Sequence, residues 1–169
     1  MIESEEMTKI KKNIEIDWSQ KRIAVVASDW NSFITDEMLD GAVEALKAKG
    51  IQNKNIYSMR CPGSFELPLA CKKAIDHLKV DGVVAIGAVI RGGTPHFNYV
   101  CDAVTRGIAD LNITSGKPVA FGVLTTDTVE QAVERAGTDK GNKGAEAAIA
   151  VSEMIELEAS LAALSNNKG

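Results

Sequence analysis

Four short runs in which apolar residues predominate alternate along the chain with longer amphipathic segments. The runs lie at 21–28, near 56–60, at 80–90 and at 119–124, and the third is interrupted only by Asp81 and small residues. Continuous apolar runs of this length are typical of strands that are buried on both faces of a parallel sheet. The sequence therefore predicts four strands, each followed by a helix.

Capping residues and glycines predict where the first three helices begin and end. Thr35 is expected to cap the first helix, which ends at Gly50, and Ser64 is expected to open the second. Thr94 and Pro95 have the pattern of an N-cap followed by proline at the first helical position, which predicts the start of the third.

The last two helices are predicted in the same way. Asp127 and Glu130 have the spacing of a capping box, with Asp in place of Ser or Thr, and Gly137 is expected to end the fourth helix. A loop rich in glycine and lysine at 138–144 then separates it from a long helix over about 145–164.

Four βα units in succession predict a three-layer α/β/α sandwich of flavodoxin-like class, with a four-stranded parallel sheet and right-handed crossovers. We predict one domain over 21–164, with an N-terminal arm at 1–20 and a flexible tail at 165–169. The arm is expected either to be disordered or to order on a neighbouring subunit, to whose sheet it would add a strand.

Composition narrows the class of protein. The 169 residues are 45% hydrophobic and 25% charged, which is ordinary for one globular domain. The net charge of -4 shows no excess of basic residues of the kind that nucleic-acid-binding proteins have. No apolar stretch approaches the roughly 20 residues that a membrane span needs. The acidic N-terminal segment lacks the features of signal and transit peptides, so a cytoplasmic location is expected.

The three cysteines are expected to be structural. Cys61, Cys71 and Cys101 are an odd number and match no CxxC metal pattern. Two of them fall on predicted helices among apolar residues, where cysteine acts as a small hydrophobe.

Four segments are expected to meet at one rim of the sheet, because ligands of such sheets bind at the carboxyl ends of the strands. The segments are 28–33, 62–66, 89–96 and 121–126.

The third of these segments predicts an anion site. Gly92 and Gly93 stand just before a helix, where backbone N–H groups and the positive end of the helix dipole can face a phosphate. His96, one of two histidines, lies at the mouth of this site and would carry protons there. A tight turn with an exposed histidine is the alternative interpretation.

Trp30 and Glu66, which also lie near the rim, each have two interpretations. Trp30 would either stack on a flat heterocycle or cover the core, and Glu66 would either accept hydrogen bonds from ligand hydroxyls or stabilise its helix through the dipole. By spacing alone, Arg135, Lys140 and Lys143 are solvated surface charges.

Three phosphate-binding motifs are excluded. A P-loop must follow a strand, whereas 137–143 follows a helix, has the wrong spacing and is followed by Gly144 in place of Ser or Thr. A GxGxxG fingerprint is absent, and 28–31 lacks the hydroxyl-rich phosphate loop of a flavodoxin-type electron carrier. The residues alone thus indicate an α/β domain that binds a small phosphorylated ligand.

Five motifs occur in order between about residues 21 and 158. They are Asp29-Trp30-Asn31 with Phe33-Ile34, Pro62-Gly63-Ser64-Phe65-Glu66-Leu67-Pro68, Gly87 to Phe97, Phe121 to Thr126, and Glu134-Arg135-Ala136-Gly137 with Gly141-Asn142-Lys143-Gly144. Together they resemble the 6,7-dimethyl-8-ribityllumazine synthase family. The resemblance implies the penultimate step of riboflavin biosynthesis, in which 5-amino-6-(D-ribitylamino)uracil condenses with 3,4-dihydroxy-2-butanone 4-phosphate and releases phosphate and water.

The resemblance also implies residue roles. His96 would be the general acid/base, Gly93, Thr94 and Arg135 would hold the phosphate, and Trp30 would stack on the pyrimidine. The matched positions around the pyrimidine and ribityl chain are Asn31, Ser64, Phe65, Glu66, Ala88, Val89 and Ile90, and those matching positions contributed by the adjacent subunit are Phe121 and Lys143.

The resemblance implies no metal or redox cofactor and implies a homo-oligomer. The family builds pentamers, and some members assemble twelve pentamers into a 60-subunit shell. The compact loop at 137–144 is similar to that of the shell-forming members, so we expect a shell, which would be able to enclose a partner such as riboflavin synthase.

The chain departs from the family pattern at two places. Trp30 stands where many members have Phe, which favours tighter binding of flavins. Asp139-Lys140 replaces a commoner Lys followed by a small residue, so Asp139 is given no role. The alternative functions are an archaeal-type riboflavin synthase, whose phosphate site would be disrupted, and a non-catalytic flavin-binding or shell-forming protein.

Overall fold

The structure, a computed structural model, describes residues 9–10, 14–138 and 140–166. In chain order the elements are β1 Ile23–Ser28, α1 Ser32–Lys49, β2 Ile56–Cys61, α2 Leu67–Leu78, β3 Gly82–Ile90, α3 His96–Ser115, β4 Val119–Thr126, α4 Val129–Arg135, β5 Ala136–Thr138, β6 Gly141–Asn142 and α5 Lys143–Asn166. Short 3-10 turns precede β1, β2 and α2.

The main sheet is parallel throughout and has the strand order β2-β1-β3-β4. Ile23 at the start of β1 lies opposite Ile56 on one side and Gly82 on the other. The three-layer α/β/α prediction is confirmed, and the order is that of a flavodoxin-like sheet with four strands.

Successive residues of the central strands supply two separate apolar layers. Ile23, Val25 and Ala27 pack with α1 and α5, whereas Ala24 and Val26 pack with α2 and α3. Every residue of β1 is buried, because both faces of the strand are covered. Burial on both faces explains why the sequences of β1 and β3 are almost entirely apolar.

The prediction that Thr35 caps the first helix is wrong. α1 begins at Ser32, because Asn31 adopts the left-handed conformation (φ 62, ψ 44) and turns the chain there. The Thr35 hydroxyl is buried and donates a hydrogen bond to the Ser28 carbonyl oxygen over 2.7 Å. Gly50 ends the helix as predicted, with φ 106.

Helix α3 begins one residue later than the sequence suggested. Pro95 occupies the N-cap position, and His96 is the first helical residue rather than the second. The Thr94 hydroxyl oxygen accepts a hydrogen bond from the backbone N–H of His96 over 3.4 Å, so Thr94 contributes to the helix start without being its cap.

The capping pair of α4 is displaced by one residue from the prediction. Thr128, not Asp127, is the N-cap, and its hydroxyl accepts from the Gln131 N–H over 3.2 Å. Gln131 Oε1 accepts in return from the Asp127 N–H over 2.9 Å. Thr128 takes this role because its extended backbone (φ -133, ψ 161) directs its hydroxyl at the first turn.

The loop predicted at 138–144 is shorter and more ordered than expected. α4 ends at Arg135, β5 and β6 pair as an antiparallel hairpin, and α5 already begins at Lys143. The last helix also continues to Asn166, past the predicted end at 164. Asp139 lies outside the described residues.

Only part of the predicted arm falls within the described residues. Ile16 and Trp18 pack against the apolar layer that contains α1 and α5, and Trp18–Gln20 forms a 3-10 turn. A strand added to a neighbouring subunit stays a prediction, as does the division into arm, domain and tail.

Candidate functional site

A cavity of about 630 Å³ opens where β1 and β3 end, and we call it the β1/β3 cavity. Its volume is in the range usual for small-molecule sites. The predicted site residues that line it are Trp30, Asn31, Ser64, Phe65, Glu66, Ala88, Val89, Ile90, Thr94 and His96.

The position of this cavity follows from the strand order. The chain moves outward from β1 to β2 on one side and to β3 and β4 on the other, so the loops after β1 and β3 diverge. Such a switch point leaves a crevice at the carboxyl ends of the strands, and ligands bind there.

Backbone hydrogen bonds fix the loop after β1. The Asp29 N–H donates to the Cys61 carbonyl oxygen over 2.8 Å, and the Trp30 N–H donates to the Pro62 carbonyl oxygen over 3.0 Å. The two loops that carry Trp30 and Phe65 are therefore held side by side.

Two aromatic rings of the cavity are mostly exposed. Trp30 is 74% exposed and Phe65 is 60% exposed, so neither ring is a core residue of the protomer. The interpretation of Trp30 as a cover over the core is therefore wrong. Exposed aromatic rings beside a cavity are suited to stack on a flat ligand.

Two carboxylates, those of Glu66 and Asp29, lie near the Cys61 thiol at the end of β2. Glu66 lies in the turn before α2, and its carboxylate approaches Gly63. Burial, followed by the charges of Glu66 and Asp29, raises the pKa of the Cys61 thiol to about 11. Cys61 therefore stays a neutral thiol at neutral pH and is not a nucleophile.

The glycine loop before α3 is open on its outer side. A side-chain carbon built on Gly92 or Gly93 would meet no atom of the described chain within 4 Å. Neither residue has a positive φ. The protomer's own packing and backbone therefore do not require glycine here, which favours a close approach by something that binds to the loop.

His96 stands at the edge of the same cavity, on the first turn of α3. Its side chain is exposed, and among the described residues none forms a hydrogen bond with the imidazole. Both ring nitrogens are thus accessible to a ligand, as a proton-transferring residue requires.

Arg91 joins the glycine loop to its surroundings. Its Nε donates to Asp127 over 2.7 Å, its Nη1 donates to Asn98 over 3.3 Å, and its guanidinium lies 4.2 Å from the centre of the Phe97 ring. These contacts connect the start of α3 to the loop after β4.

A second cavity, of about 510 Å³, lies beside β4, α4 and α5, and we call it the α4/α5 cavity. Phe121, Arg135 and Lys143 line it. Arg135 Nη1 donates to the Gln131 carbonyl oxygen over 2.8 Å, and Lys143 Nζ pairs with Glu146 over 2.6 Å.

The structure does not bring all the predicted site residues together in one protomer. Arg135 was expected to bind a phosphate with Gly93 and Thr94, yet it lines the α4/α5 cavity, whereas Thr94 and His96 line the β1/β3 cavity. The segment 121–126, expected at the common rim, likewise faces the α4/α5 cavity.

Sequence reasoning missed several lining residues. Phe97 and Val100 of α3 line the β1/β3 cavity, and Gln131 lines the α4/α5 cavity. Helical spacing was the available signal, since Val100 follows His96 by four residues and Gln131 precedes Arg135 by four.

No group of three or more potential metal ligands occurs within residues 9–10, 14–138 and 140–166. All three cysteines are free, and burial raises the pKa of the Cys71 thiol to about 12. In the same part of the chain, no helix has the length and apolar character of a membrane span.

The fold and the two cavities define a flavodoxin-like α/β domain with a crevice, lined by exposed aromatic rings, next to an open glycine loop. The 6,7-dimethyl-8-ribityllumazine synthase family model matches residues 20–159, which is most of the chain. The chain belongs to this family of enzymes, whose activity is part of riboflavin biosynthesis.

Proposed function

We propose that the protein condenses 5-amino-6-(D-ribitylamino)uracil with 3,4-dihydroxy-2-butanone 4-phosphate to form 6,7-dimethyl-8-ribityllumazine, phosphate and water. The observation that carries the proposal is the β1/β3 cavity, which combines exposed aromatic rings, an open glycine loop and His96. The family match supports the same reaction.

The pyrimidine would occupy the inner part of this cavity. Trp30 and Phe65 provide exposed rings for stacking, and Glu66 provides a carboxylate that accepts hydrogen bonds from ribityl hydroxyls. Asn31, Ser64, Ala88, Val89 and Ile90 complete the wall.

His96 would act as the general acid/base. A ring amine attacks the ketone, phosphate leaves by elimination, and a second amine closes the ring. Each of these steps moves protons, and histidine is the side chain that most often transfers protons as a general acid or base in enzymes. Most of the rate would come from holding the two substrates together.

The phosphate would be bound between two subunits. Gly93 and Thr94 directly precede α3, where their backbone N–H groups would face the phosphate. Thr94 lines the β1/β3 cavity, whereas Arg135 and Lys143 line the other cavity of the same protomer. A neighbouring copy that presents its α4/α5 cavity would add Phe121, Arg135 and Lys143 to the glycine loop. Arginine suits this role, because its planar fork binds phosphate oxygens in pairs.

Such a shared site requires an oligomer, and we propose a pentamer that assembles further into a 60-subunit shell. Static light scattering on the purified protein tests the assembly. A particle near sixty chain masses supports the shell. A particle near five chain masses would exclude it and leave the pentamer.

Lumazine formation tests the reaction itself. The purified protein is mixed with the aminouracil and the butanone phosphate, and lumazine absorbance is compared with a protein-free control. We expect acceleration that depends on the phosphate ester. No acceleration, with flavin still bound, would favour a non-catalytic binding or shell protein. Conversion of lumazine alone into riboflavin would favour the archaeal-type riboflavin synthase.

A further inference from the structure

A single carboxamide connects the chain after Arg135 to the chain before Lys143. Asn142 is the last residue of β6 and is half-buried. Its Oδ1 accepts hydrogen bonds from the N–H groups of Gly144 over 2.9 Å and Ala145 over 3.0 Å. Asn142 therefore caps α5, the helix whose first residue is Lys143.

The other end of the same side chain holds the opposite strand of the hairpin. Asn142 Nδ2 donates to the Ala136 carbonyl oxygen over 3.2 Å, and Ala136 directly follows Arg135. The same nitrogen donates to the Glu37 carbonyl oxygen of α1 over 2.8 Å. One side chain thus makes four hydrogen bonds to three segments.

We propose that Asn142 is a positioning residue that sets the separation of Arg135 and Lys143, the two cations of the α4/α5 cavity. The proposal rests on the proposed function, in which these cations bind the phosphate of the second substrate. A cap alone would require only the Oδ1 contacts. The Nδ2 contacts to Ala136 and Glu37 fix the end of α4 relative to α5. The positioning role therefore depends on these two contacts and not on the cap.

Helix α1 provides an independent way to disturb this side chain. A side-chain carbon at Gly41 would overlap the Asn142 carboxamide. Gly41→Ala therefore displaces the Asn142 side chain without substituting any residue that lines either cavity. Alanine favours a helix more than glycine does, so the local effect on α1 alone would be stabilising.

Three variants separate positioning from capping. Asn142→Ala removes both sets of contacts, whereas Asn142→Ser keeps a side-chain oxygen that caps α5 but loses the Nδ2 donor. Gly41→Ala keeps Asn142 and moves it. We expect each to raise the KM for the butanone phosphate by about tenfold, because small displacements of binding groups cost that much or more. The KM for the aminouracil should change less than about twofold.

Asn112 supplies the matched control. Its Nδ2 donates to the carbonyl oxygens of Ile108 and Val119, each over 2.8 Å, and its Oδ1 accepts from the Val119 N–H over 2.8 Å. These contacts join the end of α3 to the start of β4, away from the carboxyl ends of the strands. Asn112→Ala should lower thermal stability and leave both KM values unchanged.

The outcomes distinguish the two proposals. A wild-type protein without turnover would overturn the proposed function. A wild-type protein with turnover, in which Asn142→Ser and Gly41→Ala keep the wild-type KM for the butanone phosphate, would overturn the positioning role. Calorimetric binding of inorganic phosphate to the same variants gives a second readout that needs no turnover. Weaker phosphate binding by Asn142→Ser at unchanged melting temperature supports the positioning role, and wild-type affinity contradicts it.

Discussion

The Asn31 carboxamide donates a hydrogen bond to the Ala88 carbonyl oxygen over 2.8 Å, across the switch point of the sheet. This bond joins the loop after β1 to the end of β3. Asn31 itself is in the left-handed conformation. The arrangement sets the start of α1 and, one residue earlier, the position of Trp30 at the edge of the β1/β3 cavity.

Trp30 is expected to report flavin binding. Its indole is 74% exposed beside the cavity, so a stacked isoalloxazine ring would quench its emission. We predict quenching of tryptophan fluorescence by micromolar riboflavin. Trp30→Phe should weaken riboflavin binding by roughly 10-fold, within the 1–3 kcal/mol of one stacking contact. The remaining tryptophan, Trp18, lies against Lys49 and serves as the internal reference. Unchanged emission at micromolar riboflavin would contradict the stacking role.

Loss of the imidazole should slow turnover without abolishing it. General acid–base catalysis contributes roughly 10²–10⁴-fold, so we expect His96→Ala to reduce kcat within that range and to retain measurable activity. The residual rate would come from substrate alignment, which the variant leaves intact. His77, the other histidine, is near the end of α2, and His77→Ala is the control. An unchanged kcat in His96→Ala would refute the assigned role.

Arg135 should contribute mainly to the binding of one substrate, the butanone phosphate. We predict that Arg135→Ala raises the KM for the butanone phosphate by about 10–100-fold, since charge-assisted hydrogen bonds contribute roughly 1.5–3 kcal/mol. The KM for the aminouracil should stay near the wild-type value. Arg106→Ala, which removes an exposed arginine paired with Asp102 on α3, controls for loss of surface charge. Equal rises in both KM values would argue against a phosphate ligand.

The buried Cys71 thiol predicts a loss of stability at alkaline pH. Its pKa is raised from 9.0 to about 12 by burial. Below pH 9 both the folded and the unfolded chain hold this proton. Above it the unfolded chain releases the proton while the folded chain keeps it, so the free energy of unfolding falls as pH rises toward 12, by up to about 1.4 kcal/mol per pH unit.

Urea unfolding between pH 8 and 10.5 measures this effect. The stability of the wild-type protein should fall more steeply with pH than that of Cys71→Ala. Cys101 is only half-buried, and Cys101→Ala should alter the slope less. Parallel pH profiles for the wild-type protein and Cys71→Ala would contradict the prediction.

The strands were predictable because both faces of β1 and β3 are covered, which leaves a continuous apolar run in the sequence. Gly50 was a reliable helix end for a similar local reason, since its φ of 106 favours glycine. The helix starts were less predictable. Thr35 and Asp127 are both suitable capping residues, but the tertiary positions of Asn31 and Thr128 decided where α1 and α4 begin.

Some residues of the candidate site could likewise be placed from the sequence, and others could not. The β1/β3 cavity is built from loops that directly follow strands, so Trp30, Glu66 and His96 could be placed near one another from chain order alone. Arg135 could not, because it ends a helix and lines the other cavity of the protomer. In the proposed oligomer, its position relative to His96 would depend on how the subunits pack. The contacts of Asn142 could not be predicted, because the residue lies in a segment rich in glycine. Only its position directly before a long helix indicated that it caps α5.

The division of the predicted site between two cavities of one protomer has a genetic consequence. A chain with His96→Ala still carries an intact α4/α5 cavity, and a chain with Arg135→Ala still carries an intact β1/β3 cavity. In the proposed oligomer, the products of two such defective alleles expressed in the same cell would assemble together, and some interfaces would pair the intact cavity of one chain with the intact cavity of the other. Activity would then return by complementation between alleles, whereas His96→Ala combined with a second allele altered in the same cavity, such as Glu66→Gln, would stay defective.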